Sequence, residues 1–573
     1  MDLKTELLGR MEQALDKYLA AVGVAREATS VALGVEAPRN REHGDYASNI
    51  AMQLTRVLKR PPMQVAEEFL THLEKDGLTR EATIAKPGFI NFRLESAASA
   101  AVLTRIAEQG ANYGKTNMGK GTKVLIEFVS ANPTGPLHIG HARNAVVGDT
   151  LARVMAAAGF NVSREYYFND AGVQMNMLGN TLRLRVDELL GREVQMPPDK
   201  VDPETGESHA QFYKGRYMIE IAEKLLGEIG KEEASQAHDG SFYTEYAVRE
   251  ILKTIDYDMK SMGIEFDTWF SETSLHRNGE VEATLEELRK LGKIYEQDGA
   301  SWLRTTEYGD EKDRVVIKSD GNYTYVMPDI AYHRDKYGRG YDRLINVLGG
   351  DHHGYVPRLT AAVAALGHPK EALNCVIIQM VSLLKDGVSM KLSTRSGEFL
   401  TLKEMADELS IGVVRWFFAM RSPDSQMVFD WSLAKDTSMD NPVYYVQYAH
   451  ARCCSLFRKA EEAGCPYAGI ANVDLSLMTH PAEVAILQEL ERLSLAIEAS
   501  ATDLSAHHVT NYLQGLAQLF HNLFTLGMHD ASLRFILPDN PALTQARLAM
   551  IDGLRTVLAN GLQVLGIPPM ERM

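Results

Sequence analysis

Residues Ser130-Ala-Asn-Pro-Thr-Gly-Pro-Leu-His-Ile-Gly-His141 lie between a short apolar run and a longer amphipathic one, and their reading decides the fold. The run before them, Val124-Leu-Ile-Glu-Phe-Val129, is rich in β-branched and aromatic residues and predicts a buried strand. After them, Val147, Leu151, Val154, Met155 and Ala158 recur at helical spacing, which predicts a helix that stops at Gly159. Strand, Gly/Pro-rich turn and helix set His138 and His141 at a helix N-terminus, where unpaired N–H groups and the dipole attract phosphate. Two imidazoles on one helical edge can donate hydrogen bonds to a phosphoryl centre as charge develops on it, and Gly140 between them lets a ligand approach the backbone. A charged nucleotide is the expected ligand; ordinary turn and cap histidines are the competing reading.

Pro136-Leu-His-Ile-Gly-His141 resembles the signature of class I aminoacyl-tRNA synthetases, and the flanking Glu127-Phe-Val-Ser-Ala-Asn-Pro-Thr-Gly135 resembles arginyl-tRNA synthetases. The likeness continues in order through Ser163–Gly172, Gly309–Val315, Tyr323–Tyr332 and Asn441–Arg452, and so covers effectively the whole chain. It points to the bacterial members of that family.

Composition agrees with a large soluble enzyme. A chain of 573 residues exceeds one ordinary core, so three or four domains are expected. Hydrophobic content of 45% and charged content of 24% are those of globular proteins. No apolar run reaches the length of a membrane span, and Met1-Asp-Leu-Lys-Thr-Glu lacks a signal-peptide pattern, so a cytoplasmic location without membrane contact is expected. Cys375, Cys453, Cys454 and Cys465 are too few and too unevenly spaced for a disulfide framework or a zinc site. Asp351-His-His353 lacks further ligands at suitable spacing, and no structural metal is expected. A net charge of −16 argues against RNA binding through a uniformly basic body but does not exclude tRNA. Local basic groups remain at Arg56, Lys59 and Arg60, at Arg183 and Arg185, and at Arg452, Arg458 and Lys459.

The expected architecture is an α/β doubly wound, parallel-sheet (Rossmann-like) catalytic domain, with an α+β N-terminal domain and an all-α C-terminal helical bundle. Residues 1–110 open on a helical pattern (Leu3, Leu7, Leu8, Met11, Leu15, Leu19) and close on Ile84–Leu94, the last part of which reads as a strand after a Pro-Gly turn. Residues 111–400 alternate strand-like runs (Val124–Val129, Leu344–Leu348, Cys375–Leu384) with helices, and a polar helical insertion is placed at 185–275. Residues 401–440 are read as a connecting segment, and 441–573 as the bundle.

Substrate specificity is argued from charge. Glu127 interrupts an apolar strand near its C-terminal end, where open α/β sheets bind ligands, and Asp329 follows Tyr325 by one helical turn. A guanidinium presents five donors in a planar fork, so it calls for carboxylates and tolerates a hydroxyl neighbour. Glu127, Tyr325 and Asp329 supply that set and match the family's arginine-binding positions; a structural salt bridge with a protein arginine is the alternative for the two acids. Ser130 and Asn132 are expected at the substrate's amino or carboxylate end, with His141 and His352 within reach. Gly349-Gly-Asp351 resembles the class I ribose-binding region, so Gly135, His138, Gly140, His141, Gly349, Gly350 and Asp351 are the expected ATP contacts, with Lys391 at the phosphates.

Met390-Lys-Leu-Ser-Thr-Arg-Ser-Gly397 resembles the mobile Lys-Met-Ser-Lys-Ser loop of the class, with Leu392, Thr394 and Arg395 as departures. The missing second lysine removes one cation from the pyrophosphate end, for which Arg395, Lys391, Lys385 and Lys123 are candidate replacements. The resemblance further implies that Phe89 and Asn91 read an unstacked base at the tRNA elbow, and that Tyr444, Arg452 and the chain end at Met573 meet the anticodon.

The expected reaction is attack of the arginine carboxylate on the α-phosphorus of magnesium-bound ATP, then transfer from arginyl-adenylate to tRNA. His138 and His141 stabilise the phosphorus centre, and Lys391 and Ser393 hold the leaving pyrophosphate. A monomer is expected. The alternatives are a glutamyl or cysteinyl synthetase, which would want a basic pocket or a metal, and a small-molecule nucleotidylyltransferase, which would need neither end domain.

Overall fold

The structure, a computed structural model, describes residues 3–36, 38, 43–74, 77–95, 100–201, 208–236, 238–390, 401–471 and 473–573. Its centre is a five-stranded, all-parallel sheet of β1 (Lys123–Glu127), β2 (Asn161–Phe168), β3 (Thr268–Ser271), β4 (Arg343–Gly349) and β5 (Leu373–Ile378). The spatial order is β5-β4-β1-β2-β3. Strand order reverses between β1 and β4, whose register sets Glu127 opposite Asn346, and ligands of such sheets bind beyond the strand ends at that point.

β1 ends at Glu127, short of the predicted run, because Val129 and Ser130 turn away with φ of 66° and 41°. A β-branched residue is strained there. The turn is held by the Val129 N–H, which donates to Asn144 Oδ1 at 2.7 Å. Asn144 belongs to α1 (Ile139–Ala157), and its Nδ2 donates to the Val347 carbonyl of β4 at 3.1 Å, so one amide clamps both strand ends at the switch point. Fifteen of the nineteen residues of α1 are buried, as for a helix enclosed on all sides, and a Cβ on Gly148 would stand 2.2 Å from Phe128 Cγ. The helix therefore lies directly over the end of β1.

Three predicted segments differ in the structure. The run Cys375–Leu384 is two strands: it leaves the central sheet at Ile378, exposes Met380, and resumes as Val381–Lys385 in a second sheet beside Val388–Met390 and Met427–Asp430. The helical insertion comprises Val173–Leu189, Tyr217–Ala234 and Gly240–Ser261, and ends before β3; residues 268–271 belong to the main sheet because they pair with β2. Residues 401–440 form helices Leu402–Glu408 and Ile411–Ala419, strand Met427–Asp430 and helix Trp431–Lys435, with Trp416 and Phe418 in the core.

Arg415 in this segment is fully buried and joins three parts of the molecule. It donates to the Leu565 carbonyl at 2.8 Å, to the Met262 carbonyl at 3.1 Å and to Asp149 of α1.

The N-terminal region has a three-stranded antiparallel sheet in which Phe89–Leu94 lies between Tyr46–Ser48 and Thr79–Ala85, so the predicted strand is the centre of a sheet. Helix Leu3–Ala21 buries Leu3, Leu7, Met11, Leu15 and Leu19 at the predicted spacing. The C-terminal region packs helices Pro442–Glu462, Pro481–Leu490, Leu493–Thr502, His507–His529 and Pro541–Val564. The four cysteines are free. Among the described residues no helix is long and apolar enough to cross a membrane.

Candidate active site

His138 is the N-cap of α1, and its Nδ1 accepts the Gly140 N–H at 3.1 Å. His141 closes the reciprocal half of a capping box: its Nδ1 accepts the His138 N–H at 3.3 Å. An Nδ1 that accepts an N–H carries no proton in the neutral ring, which assigns the ring proton to Nε2 in both histidines. Burial lowers the pKa of His138, and burial together with the His138 charge lowers that of His141 to about 3. The pair therefore presents two neutral rings, each with an Nε2–H donor. Gly140 has a steric role that the sequence reading assigned to ligand approach: a Cβ there would lie 3.0 Å from His138 Cε1, so glycine makes room for the capping ring.

Glu127 is buried at the end of β1, and both its oxygens are engaged. Oε1 accepts the Ser130 hydroxyl at 2.9 Å, and Oε2 accepts the Lys336 ammonium at 2.5 Å. Ser130 Oγ also accepts the Tyr167 N–H at 3.2 Å, so the strained turn fixes the hydroxyl between β1 and β2. The protein cation beside Glu127 is thus a lysine, which the sequence reading did not single out.

Asp329 and Lys336 both lie on α2 (Val326–Gly338), at positions i and i+7, with Tyr332 and His333 between them at i+3 and i+4. These four polar or amphipathic residues occupy one face at helical spacing, a signal present in the sequence. Asp329 accepts a hydrogen bond from Tyr355. Burial raises its carboxyl to about 7; Tyr355 opposes the rise, the carboxylates of Glu127 and Glu272 add to it, and Lys336 lowers it. Glu272 accepts the Tyr167 hydroxyl at 2.5 Å.

Tyr325 corrects the sequence reading. It is the N-cap of α2 and is 89 % exposed, so it does not share a wall with Asp329 here; the tyrosine on Asp329 is Tyr355, from the turn after β4. A helix places i and i+4 on one face only inside the helix, and Tyr325 sits at its edge.

Asn132 is exposed and donates to Gln174 Oε1 at 3.0 Å. Gly135 lies against Tyr217, whose hydroxyl donates to the Thr134 carbonyl at 2.6 Å. Beyond β4, Gly349 and Gly350 lead into a 3-10 turn in which Asp351 and His352 are exposed, with His352 Nε2 3.6 Å from Asp351 Oδ2. A Cβ on Gly349 would lie 2.6 Å from Oδ1 of the exposed Asp351 side chain. Lys391 and Ser393 lie outside the described residues. The chain that follows them is tied to the signature turn, since Thr401 bridges His138 and the Leu402 N–H donates to the Leu137 carbonyl at 2.9 Å. Among the described residues no group of three or more His, Cys, Asp or Glu side chains is arranged to hold a metal.

At the two ends of the molecule the expected RNA contacts divide. Phe89 is 38 % exposed, but Asn91 is buried at 6 % within the central strand, so its amide edge is not offered to an external base. Pairing on both sides of that strand encloses it. Tyr444 packs against the helical core. Arg452 and Met573 meet across a cavity of about 420 Å³ that Tyr448, Phe524, Lys459 and Arg572 also line. The Arg452 guanidinium lies 4.1 Å from the Phe524 ring centroid and 4.5 Å from that of Tyr448. Cations and aromatic faces in one concavity suit an unstacked base and its phosphate.

The catalytic-domain profile of the class I tRNA synthetases (R) matches residues 102–413, the DALR anticodon binding domain profile matches 446–573, and the arginyl tRNA synthetase N terminal domain profile matches 9–94. An arginine–tRNA ligase of Bacillus subtilis (strain 168) is 42% identical over 578 residues, spanning 100% of both chains. One from Citrifermentans bemidjiense is 46% identical over 545 residues, or 95% of each. The solved arginyl-tRNA synthetase of Thermus thermophilus superposes with a TM-score of 0.73 at 23% identity and covers 100% of both chains.

Proposed function

Because this chain belongs to the arginyl-tRNA synthetases and joins arginine to tRNA as a ligase, we propose a division of labour among its residues in that reaction. ATP use follows from the family, and the ATP is taken as its magnesium complex. The glutamyl, cysteinyl and small-molecule nucleotidylyltransferase readings are set aside.

The guanidinium of arginine is held by Glu127 and Asp329 at the switch point between β1 and β4. What supports this is the pairing of two carboxylates, one of them raised by burial and by its acidic neighbours, at the end of a parallel sheet. A planar cation entering there relieves the repulsion between them and satisfies lone pairs that the protein leaves over. Ser130 and Asn132 are assigned to the amino-acid end; Tyr325 and His352, both exposed, are assigned contacts that form when substrate arrives.

The arginine carboxylate attacks the α-phosphorus, and the Nε2–H groups of His138 and His141 donate to its oxygens as negative charge builds. The N-terminus of α1 adds its dipole. Gly135, Gly349, Gly350 and Asp351 receive the adenosine, and Lys391 and Ser393 the pyrophosphate. No covalent enzyme intermediate is required; positioning and charge stabilisation suffice. The ribose hydroxyl at the tRNA end then attacks the activated carbonyl.

Residues 1–110 are assigned to the tRNA elbow through Phe89, residues 111–400 to catalysis, and 441–573 to the anticodon through the Arg452 and Met573 cavity. A monomer acting in the cytoplasm is the proposed state. Arginine-dependent pyrophosphate exchange, with and without tRNA, tests the reading: exchange should be lost in Asp329→Asn at low arginine and recovered at high arginine. Loss that arginine cannot restore would overturn the assignment of Asp329.

A further inference from the structure

Lys336 has an ammonium with no access to solvent, at the turn of α2 that faces the switch point. Its Nζ donates to Glu127 Oε2 at 2.5 Å and to Asn346 Oδ1 at 3.3 Å, and stands 4.0 Å from the Tyr332 ring centroid. Asn346 is the register partner of Glu127 across β1 and β4. Because Asn346 Oδ1 accepts from lysine, its Nδ2 is the donor to His333 Nε2, 2.8 Å away. His333 is then protonated on Nδ1, which donates to the Asp329 carbonyl at 2.7 Å. Burial lowers the pKa of His333 to about 3, in keeping with a neutral ring that donates at one nitrogen and accepts at the other. Only one direction of donation satisfies every atom in the sequence Lys336, Asn346, His333, Asp329.

We infer that Lys336 is a positioning residue for arginine recognition: its ammonium offsets and fixes the Glu127 carboxylate and, through Asn346 and His333, ties it to the turn of α2 that carries Asp329. This rests on the proposed placement of the guanidinium against Glu127 and Asp329. A buried carboxylate without a counter-ion is costly, and one buried ion pair broken on one side leaves the other charge exposed to its neighbours. Here the neighbour is Asp329, which faces Glu127 from β1, Glu272 from beyond β3, Tyr167 from β2, Tyr355 from the turn after β4 and Lys336 on its own helix. Lys336 is the cation in that set. It offsets part of the field of Glu127, so that two carboxylates stand close enough to share one guanidinium while the Asp329 carboxyl rises no further than about 7.

The test is the arginine KM of tRNA charging between pH 5.5 and 8.5 in the full-length enzyme. In Lys336→Met the arginine KM at pH 7 should rise about tenfold or more, the scale of one charged hydrogen bond, with the ATP KM unchanged. The pH midpoint of the arginine KM should move up in Lys336→Met, because the field of Glu127 on Asp329 is no longer offset, and down in Glu127→Gln. The double variant Lys336→Met/Glu127→Gln, which removes both buried charges and guards against a single variant that does not fold, should titrate above Glu127→Gln. Arginine and ATP KM values rising together with an unmoved midpoint, or a double variant titrating with Glu127→Gln, would overturn the role of Lys336. An Asp329→Asn variant with an unchanged arginine KM would instead overturn the pocket itself.

Discussion

The imidazoles of His138 and His141 stack with ring centroids 3.9 Å apart and planes inclined by 29°, because each Nδ1 is held by a backbone N–H of the same helical turn. The stack is a by-product of capping: α1 begins on His138, and three residues later His141 returns over it. Two neutral donors are thereby presented in one orientation, at the positive end of a buried helix.

Alanine at His141 is expected to lower kcat for arginine activation by about 10²–10³, as for loss of one aligned donor to a developing anion. Because burial lowers both rings below the ordinary histidine range, kcat at saturating arginine and ATP should show no histidine ionisation at about pH 6.5. A limb near pH 6.5 in the kcat profile would mean that an imidazolium does the work.

Gly140→Ala separates capping from catalysis. The added methyl meets His138 Cε1 at 3.0 Å and Nδ1 at 3.2 Å, so the ring must move, while alanine improves intrinsic helix propensity by up to about 1 kcal/mol. Melting temperature should hold, and kcat should fall. Unchanged kcat would show that the ring position in the cap is not the catalytic one.

Asp329, assigned above to arginine recognition, also bears on stability. Its carboxyl ionises near 7 in the fold and at about 4 in the unfolded chain, so between those values the folded protein holds an extra proton and loses stability as the pH rises. Asp329→Asn removes that loss. Its melting temperature relative to the parent should climb from pH 4 to above pH 7, while its arginine KM rises about tenfold or more against an unchanged ATP KM. Calorimetry across that range checks the first, and steady-state charging checks the second.

For tRNA, Arg452→Ala should raise the tRNA KM and leave the arginine KM in place, since the guanidinium lies between two aromatic rings in a cavity remote in sequence from the sheet. Phe89→Ala should do the same more weakly. Asn91→Ala, buried in its strand, should register in the melting curve of the chain and not in the tRNA KM.

Removing Arg415 tests the joint between regions. Arg415→Met leaves Asp149 buried beside Arg153 and Arg164 with one cation fewer, and frees the Leu565 and Met262 carbonyls. A cost of about 3–5 kcal/mol is expected from equilibrium unfolding, the range for a buried pair broken on one side.

Local pattern carried much of this far. The apolar run before Ser130, the Gly/Pro turn and the three-and-four spacing after it fix a strand, a turn and the helix Ile139–Ala157, because periodicity and capping are properties of neighbouring residues. The N-terminal helix with Leu7, Met11 and Leu15 inward was legible for the same reason. The resemblance carried by the signature and its flanks supplied the family and, with it, Glu127 and Asp329 as acids of interest.

Partners across the fold were not legible. Lys336 reaches Glu127 from 209 positions away, and only the strand order, which brings β4 beside β1, sets Asn346 opposite that carboxylate. Tyr355 in place of Tyr325 on Asp329, the enclosure of Asn91, and the meeting of Arg452 with Met573 are likewise decided by which surfaces pack together. The sequence by itself determined the local elements and the chemical groups available, since these depend on spacing along the chain. Tertiary structure decided which charges face one another, since burial and Coulomb energy depend on distances in space that spacing along the chain does not set.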